Sequence, residues 1–160
     1  MGEIGAATSL SPATRMIEPA ARPRWTHHAS AKVAALLDER FGRLDILINN
    51  AATLGRYDEM ASTADLAEVR TNFETTLFCA WAVAQTFLPL LLKSSRGCLV
   101  NVSSGAGSHV DREFGLPTTA AMPVSYAVAK AALNALAAKA CQGESGPAYQ
   151  CGLSRLHGDF

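Results

Sequence analysis

The sequence lacks the cysteine pairs and the charge imbalance that mark several classes of protein. Its four cysteines form no C-x-x-C pair and no disulfide framework, which fits reduced thiols in a cytoplasmic compartment. We interpret these cysteines as reduced core thiols and expect no metal site. Fourteen basic residues balance fourteen acidic ones, so no net charge draws the protein towards nucleic acid or an anionic membrane.

No apolar run in the sequence has the length of a bilayer span. The longest run, from Leu77 to Leu92, is shorter than the roughly 18 to 20 residues that a span needs. Gln85, Thr86 and Pro89 also interrupt it. We therefore expect a buried core helix here and no membrane partner.

Composition and apolar patterning divide the chain of 160 residues into three segments. Residues 1–28 are rich in Ala, Pro, Arg and Thr and have no apolar period, which predicts an irregular or disordered tail. Residues 29–140 alternate apolar helical and strand patterns, and the chain as a whole, at 49% hydrophobic and 18% charged residues, has the composition of a globular protein. Residues 141–160 contain no apolar strand run, so we expect an irregular C-terminal tail.

The middle segment predicts the order helix, strand, helix, strand, helix. A helix ends at Gly42, and residues 44–48 form a short apolar run that is typical of a strand buried on both faces of a parallel sheet. Residues 63–93 predict one kinked helix or two helices. Residues 98–102 predict a second buried strand, and the alanine-rich residues 125–140 predict the last helix. This alternation favours an α/β fold built from parallel βαβ units.

The strongest candidate for chemistry is the pair Tyr126 and Lys130. Their spacing places both side chains on one helix face, one turn apart. A lysine ammonium beside a phenol favours the phenolate form, which suits a general acid. On its own this spacing is also typical of an ordinary solvated helix face.

Polar residues at the strand ends and in the second helix strengthen this hypothesis. Ser104 follows the second strand, where a hydroxyl can hydrogen-bond a substrate carbonyl oxygen. Asn50 and Ala51 follow the first strand, where small side chains let a ligand approach the backbone. Asn72 lies in an apolar helical stretch and needs hydrogen-bond partners if buried. Taken alone, these residues are also typical of capped turns or of a core amide with satisfied hydrogen bonds.

Together, five segments in this order resemble the short-chain dehydrogenase/reductase family. They are FGRLDILINNA (residues 41–51), TNF around Asn72, Leu88-Pro89, GCLVNVSS (residues 97–104) and SYAVAKAALNAL (residues 125–136). Such signals are specific because chance would have to place each one on the right element in the right order. The resemblance implies a partial Rossmann-like parallel sheet with flanking helices. It also implies NAD(P)-dependent hydride transfer between an alcohol and a carbonyl.

The resemblance implies a role for each candidate catalytic residue. Tyr126 would be the general acid/base, and Lys130 would favour its phenolate form. Ser104 would polarise the substrate carbonyl, with Ser103 as its structural neighbour. Asn72 would hold a water molecule of the proton relay.

The implied cofactor is NAD(P)H. Asn50 and Ala51 would line its ribose, and Tyr126 and Lys130 would hold the nicotinamide ribose. The family's glycine-rich turn, T-G-x-x-x-G-x-G, lies against the pyrophosphate at a helix N-terminus. No such turn precedes Ala29, so we expect weakened cofactor binding.

The sequence leaves two functions open. The first is an oxidoreductase acting on a small carbonyl or alcohol; residues 109–121 resemble extra residues that some carbonyl reductases of the family carry before the tyrosine. The second is a truncated, inactive chain that dimerises with itself or with a full-length relative. Family members commonly pair through two long helices, which here correspond to residues 63–93 and 125–140.

Overall fold

The computed structural model describes residues 27–118, 122–143 and 150–155. Four α-helices and three β-strands lie in these ranges, joined by a π-turn and a 3₁₀ turn. In chain order the elements are α1 (His27–Phe41), β1 (Ile46–Asn49), α2 (Leu66–Phe73), the π-turn (Glu74–Phe78), α3 (Cys79–Leu92), β2 (Cys98–Ser103), the 3₁₀ turn (Gly105–Gly107), α4 (Val124–Gly143) and β3 (Gln150–Arg155).

The described strands form one parallel sheet in the order β1-β2-β3. Asn49 at the end of β1 pairs with Asn101 of β2, so the carboxyl ends of these strands lie at one edge of the sheet. This arrangement confirms the predicted α/β fold. It also places the segments that follow β1 and β2 beside each other, where open α/β sheets bind ligands.

The prediction that the first strand is buried on both faces is wrong. Alternate residues of a strand point to opposite faces, and the side chains of Ile46 and Ile48 on one face are 59% and 60% exposed. On the other face Leu47 is half-buried. β1 lies at the edge of the described sheet, and no described element covers its second face. The apolar run therefore predicted burial on a face that the described part of the chain leaves exposed.

The expected irregular C-terminal tail is wrong for part of its length. Helix α4 continues to Gly143, and β3 at Gln150–Arg155 pairs in parallel with all of β2. Backbone hydrogen bonding defines this strand, whereas its sequence, QCGLSR, has no apolar run to reveal it. At the other end of the chain, α1 begins at His27, and the rest of the predicted N-terminal tail, residues 1–26, lies outside the described residues.

Residues 66–92 form one continuous helical segment, close to the predicted range of 63–93. Asp65 caps its start, because the Asp65 carboxylate accepts a hydrogen bond of 2.8 Å from the backbone N–H of Ala67. By length and composition alone this segment of 27 residues passes as a membrane span, because it contains an 18-residue window with a mean hydropathy of 1.6. A third of that window (33%) is buried, and the segment packs against the sheet and α4, with Leu90 and Leu91 buried.

The core that joins the helices lies between α4 and the segment around the π-turn. Leu77, Ala80 and Leu133 form this cluster, and Phe73 and Leu136 pack against it. The cluster fixes α4 relative to the sheet edge and therefore positions the residues that α4 carries.

Helix α1 ends at Phe41, directly before Gly42, the residue at which the sequence predicted its end. Gly42 has a φ of 69°, and its N–H donates to the carbonyl oxygen of Asp38 over 2.9 Å. A positive φ after the last helical turn is a common helix end, and glycine adopts it without the steric cost of a side chain.

Candidate active site

Paired asparagines join the ends of β1 and β2. The Asn49 side chain donates one hydrogen bond to Asn101 Oδ1 (2.9 Å) and another to the carbonyl oxygen of Ala80 on α3 (3.1 Å). These bonds satisfy polar groups inside the fold and fix α3 against the strand ends. The next residues, Asn50 and Ala51, therefore leave the sheet from a rigid position.

A cavity of about 260 Å³ opens at this edge of the sheet. Its wall includes Asn50 and Ala51, the two residues predicted to line a cofactor ribose, and both are exposed. Cys79 also lines the cavity, and burial raises the pKa of its thiol. This thiol therefore stays protonated at neutral pH, so it adds no charge to the cavity wall.

Lys130 is a buried cation at the centre of the candidate site. Its side chain is 2% exposed, and Nζ donates a hydrogen bond of 2.6 Å to the carbonyl oxygen of Val102 near the end of β2. Burial lowers the pKa of this ammonium because the charged form loses its solvation. An ammonium has three N–H donors, so two remain for other groups.

Tyr126 lies one turn before Lys130 on α4, as predicted. Lys130 Nζ is 5.8 Å from the centroid of the Tyr126 ring, within the range of a cation–π contact. The helix begins after Pro123, whose carbonyl oxygen accepts a hydrogen bond of 3.0 Å from the N–H of Ala127. Tyr126 is half-buried, so the fold restricts its ring without enclosing it.

Ser104 follows β2 and begins the 3₁₀ turn that packs against α4. Its Oγ accepts a hydrogen bond of 3.2 Å from the N–H of Ala106. A Cβ at Gly107 would lie 2.6 Å from the Ala131 nitrogen and from the Lys130 carbonyl carbon, so only glycine allows this approach. The turn that carries Ser104 is therefore pressed against the stretch of α4 that carries Lys130.

Ser103 is buried, and its side chain is bonded to α4. Its hydroxyl donates a hydrogen bond to Asn134 Oδ1, and Asn134 Nδ2 donates to the carbonyl oxygen of Gly107 over 3.0 Å. These bonds tie β2, the 3₁₀ turn and α4 together. Ser104, the next residue along the chain, is half-buried.

Asn72 is buried at the end of α2, directly before the π-turn. Its Nδ2 donates to Ser125 Oγ (3.1 Å), and its Oδ1 accepts from Thr76 Oγ1 (3.1 Å). The buried amide therefore has partners on both ends, as a buried polar group requires. Asn72 reaches the candidate site through Ser125, the residue that precedes Tyr126. Isolated π-turns within α-helices are frequent at functional sites.

Sequence reasoning missed the contact between two further residues near Tyr126, Glu59 and Ser125. Glu59 lies in the loop after β1, and both of its carboxylate oxygens accept hydrogen bonds from Ser125. Ser125 begins the segment SYAVAKAALNAL, but no local pattern connects it with Glu59, because a contact across 66 residues of sequence leaves no local trace. Among the residues that the structure describes, no three His, Cys, Asp or Glu side chains group as a metal site.

The fold and these residues define an α/β protein with a serine at the carboxyl end of a parallel strand and a tyrosine and a lysine on the helix that packs against that strand. The chain matches a family model described as short chain dehydrogenase over residues 24–146. It therefore belongs to the short-chain dehydrogenase/reductase family, and its parallel sheet is part of the family's Rossmann fold.

Two dehydrogenases share this similarity over part of their length. The chain is 37% identical over 82 residues to a short chain dehydrogenase of Monascus purpureus, a match that covers 51% of this chain and 27% of that protein. It is 37% identical over 113 residues to a 1,6-dihydroxycyclohexa-2,4-diene-1-carboxylate dehydrogenase of Pseudomonas putida, which covers 67% of this chain and 35% of that protein. These matches span about a third of the relatives' length or less.

Solved structures extend the likeness to the fold. An NADPH-bound carbonyl reductase from chicken fatty liver superposes with a TM-score of 0.70 at 26% identity, over 81% of this chain and 53% of that one. A short-chain dehydrogenase from Streptomyces avermitilis gives a TM-score of 0.62 at 26% identity, over 81% of this chain and 43% of that one. The chain thus corresponds to about half of these folds.

Proposed function

We propose that the chain carries the catalytic part of an NAD(P)H-dependent oxidoreductase that interconverts a small carbonyl compound and its alcohol. The main support is the position of Lys130. Its buried ammonium lies over the Tyr126 ring and donates a hydrogen bond to the carbonyl oxygen of Val102, two residues before Ser104. Family membership supports the reaction class. Because the chain spans about half of its structural relatives, the activity of the whole protein is part of this proposal.

Tyr126 would act as the general acid in the direction of carbonyl reduction. Its phenol would donate the proton that the substrate oxygen acquires, and the Lys130 ammonium would stabilise the phenolate left behind. The charge of a buried cation is weakly screened by solvent, so its effect on a neighbouring phenolate is strong. In the direction of alcohol oxidation, the same phenolate would accept the proton.

Ser104 would hold the substrate oxygen while the proton moves. Its hydroxyl can donate a hydrogen bond to that oxygen and stabilise the negative charge that develops on it. The contact between the 3₁₀ turn and α4 keeps Ser104 on the same rigid unit as Lys130. Such preorganisation is what makes a hydrogen-bond donor effective in catalysis.

Part of a cofactor site fits the residues present. Asn50 and Ala51 would line the ribose, and the remaining two N–H donors of Lys130 suit ribose hydroxyls. When bound, the nicotinamide would supply the hydride. The NADPH in the chicken carbonyl reductase supports this class of cofactor.

A cofactor titration tests this proposal. NADPH and NADH are added to the protein and binding is followed by the change in nicotinamide fluorescence. We expect saturable binding of one of them. The matched variants Ala51→Phe and Ala52→Phe add bulk at adjacent exposed positions, of which only Ala51 lines the cavity. Binding that is absent at millimolar cofactor would contradict the proposal.

A second candidate function, dimerisation, has its own supporting observation. Phe78 in the π-turn, Trp81 in α3 and Val128 in α4 are apolar side chains that remain exposed. Large exposed apolar side chains on neighbouring helices are typical of association surfaces. We propose that this surface pairs with a second copy or with a full-length relative. Size-exclusion chromatography of the chain and a Trp81→Ser variant tests it, and equal elution volumes would count against it.

A reducing, cytoplasmic compartment is also part of the proposal. Cys79 and Cys98 are free thiols in the structure, each half-buried in an apolar segment. Free cysteines of this kind persist where glutathione keeps thiols reduced. Fluorescence microscopy of the tagged full chain in its source cells checks this location.

A further inference from the structure

Ser125, the residue before Tyr126, is the point where the loop after β1 meets the first turn of α4. Its backbone N–H donates a hydrogen bond of 2.8 Å to Glu59 Oε1, and its hydroxyl donates one of 3.0 Å to Glu59 Oε2. Ser125 is 3% exposed. A single carboxylate therefore holds both the backbone and the side chain next to the candidate catalytic tyrosine.

The start of α4 provides a physical reason for this contact. The first N–H groups of a helix have no partner within the helix, and an anion near them is stabilised by the helix dipole. The described start of α4 has no acidic residue in its first turn. Glu59 supplies this missing anion from a distant loop, and its bonds are charge-assisted and stronger than neutral ones.

The loop is shaped to bring Glu59 into place. Gly55 has a φ of 79°, and a Cβ there would lie 3.0 Å from Ser125 Oγ and 3.3 Å from Glu59 Oε2. A side chain at this position would strain the backbone and crowd both partners. The close approach of the loop to α4 is therefore part of the folded arrangement and depends on glycine.

The same carboxylate ends a directional chain of hydrogen bonds. Thr76 Oγ1 donates to Asn72 Oδ1, Asn72 Nδ2 donates to Ser125 Oγ, and the Ser125 hydroxyl donates to Glu59. A chain in which every member donates in one direction must end on a group that only accepts, and an ionised carboxylate is such a group. Glu59 therefore also fixes the orientation of the Asn72 amide.

We propose that Glu59 is a positioning residue that fixes the first turn of α4, and with it the Tyr126 phenol, for proton transfer to the substrate. This inference rests on the proposed oxidoreductase function. It adds a residue from the loop after β1, which the sequence did not connect with Tyr126. Displacing a reacting group by about 1 Å can cost a factor of about 100 in rate.

The experiment compares the whole chain with Glu59→Ala, Glu59→Gln and the control Asp58→Ala. Asp58 is exposed and pairs with Arg56. The substitution Asp58→Ala therefore removes a neighbouring carboxylate that does not bond α4. The readouts are the ring signal of Tyr126 in ring-¹³C-tyrosine NMR, assigned with Tyr126→Phe, and the hydrogen-exchange rate of the Ser125 amide. Turnover with NADPH or NADH and a panel of small ketones gives kcat and KM.

We expect Glu59→Ala to shift the Tyr126 signal and speed exchange of the Ser125 amide about tenfold or more, which matches the loss of a charge-assisted hydrogen bond. We expect kcat to fall about 10- to 100-fold while KM for the cofactor changes less than about threefold. Glu59→Gln keeps an acceptor for the Ser125 N–H and should restore part of each loss. Asp58→Ala should leave all readouts unchanged.

An unmoved Tyr126 signal in Glu59→Ala, or an unchanged kcat in an active protein, would overturn the proposal. If the wild-type chain shows no turnover but the Tyr126 signal still moves, the proposed activity fails and the positioning of the phenol by Glu59 stands. If Glu59→Ala does not fold, Glu59→Gln and Ser125→Ala provide the test. Ser125→Ala keeps the bond from the Ser125 N–H to Glu59 but removes the hydroxyl, which also bonds Asn72. It should shift the Tyr126 signal less than a full loss of the carboxylate.

Discussion

The Nζ atom of Lys130 donates a hydrogen bond of 2.6 Å to the carbonyl oxygen of Val102. This bond joins α4 to β2 at the point where the chain turns towards Ser104. The same ammonium lies 5.8 Å from the Tyr126 ring centroid. One buried cation thus links the end of β2, helix α4 and the candidate general acid Tyr126.

Replacing Lys130 with methionine should remove most of the rate acceleration that the site provides. Methionine fills similar space but can neither stabilise a phenolate nor bond Val102. We expect kcat for carbonyl reduction to fall at least about 100-fold, the lower range for loss of general acid–base assistance. Steady-state kinetics measures this, with Lys32→Met on exposed α1 as the control that removes an ammonium elsewhere. Equal losses in both variants would contradict a specific role for Lys130.

The burial of Lys130 should also make stability depend on pH. Its folded-state pKa lies below the ordinary value of 10.5 because of desolvation, so in the window between the two values the unfolded chain binds more protons. The penalty for burying the charge is full below the lowered pKa and disappears as pH rises towards 10.5. Wild-type stability should therefore rise relative to Lys130→Met across the alkaline range.

Urea unfolding of the wild type and Lys130→Met at several pH values from neutral to 10 measures this difference in the free energy of unfolding. Lys32→Met serves again as the control, because it changes the net charge equally. A difference between wild type and Lys130→Met that stays constant with pH would show that burial does not perturb Lys130.

Gly107→Ala should loosen the contact between the 3₁₀ turn and α4. The added Cβ would lie 2.6 Å from backbone atoms of α4, which cannot move aside as a flexible side chain could. Overpacking of this kind costs about 1 to 3 kcal/mol of unfolding free energy. Thermal or urea unfolding measures the loss.

Gly42→Asn is the matched control for that substitution. Gly42 has a positive φ but open space around its Cβ position, and asparagine tolerates this conformation at a helix end. We expect a smaller loss of stability than for Gly107→Ala. A larger loss at Gly42 would show that backbone conformation, and not the close approach to α4, dominates at these glycines.

Local signals predicted most of the helices and the first two strands. Gly42 marks the end of α1 through its conformational freedom, and the alanine-rich sequence around Lys130 has high helix propensity. The spacing of Tyr126 and Lys130 placed them on one helix face, and the cation–π contact agrees with it. These features depend on residues within a few positions of one another, so the sequence reveals them.

Local sequence patterns could not predict the features that depend on residues far apart in the sequence. β3 owes its existence to pairing with β2, and its sequence contains little apolar signal. The exposure of Ile46 and Ile48 depends on which elements cover the sheet, which an apolar run does not specify. The bond between Glu59 and Ser125 joins residues 66 positions apart, and only the folded chain brings them together.

The most direct test of the account compares turnover by Tyr126→Phe and Tyr57→Phe. Tyr57 is exposed in the loop after β1, so each variant removes one phenolic hydroxyl and keeps its ring. With NADPH or NADH and a small ketone, we predict that Tyr126→Phe lowers kcat about 100-fold or more, whereas Tyr57→Phe behaves as wild type. Full activity in Tyr126→Phe would contradict the central claim that this phenol provides the proton.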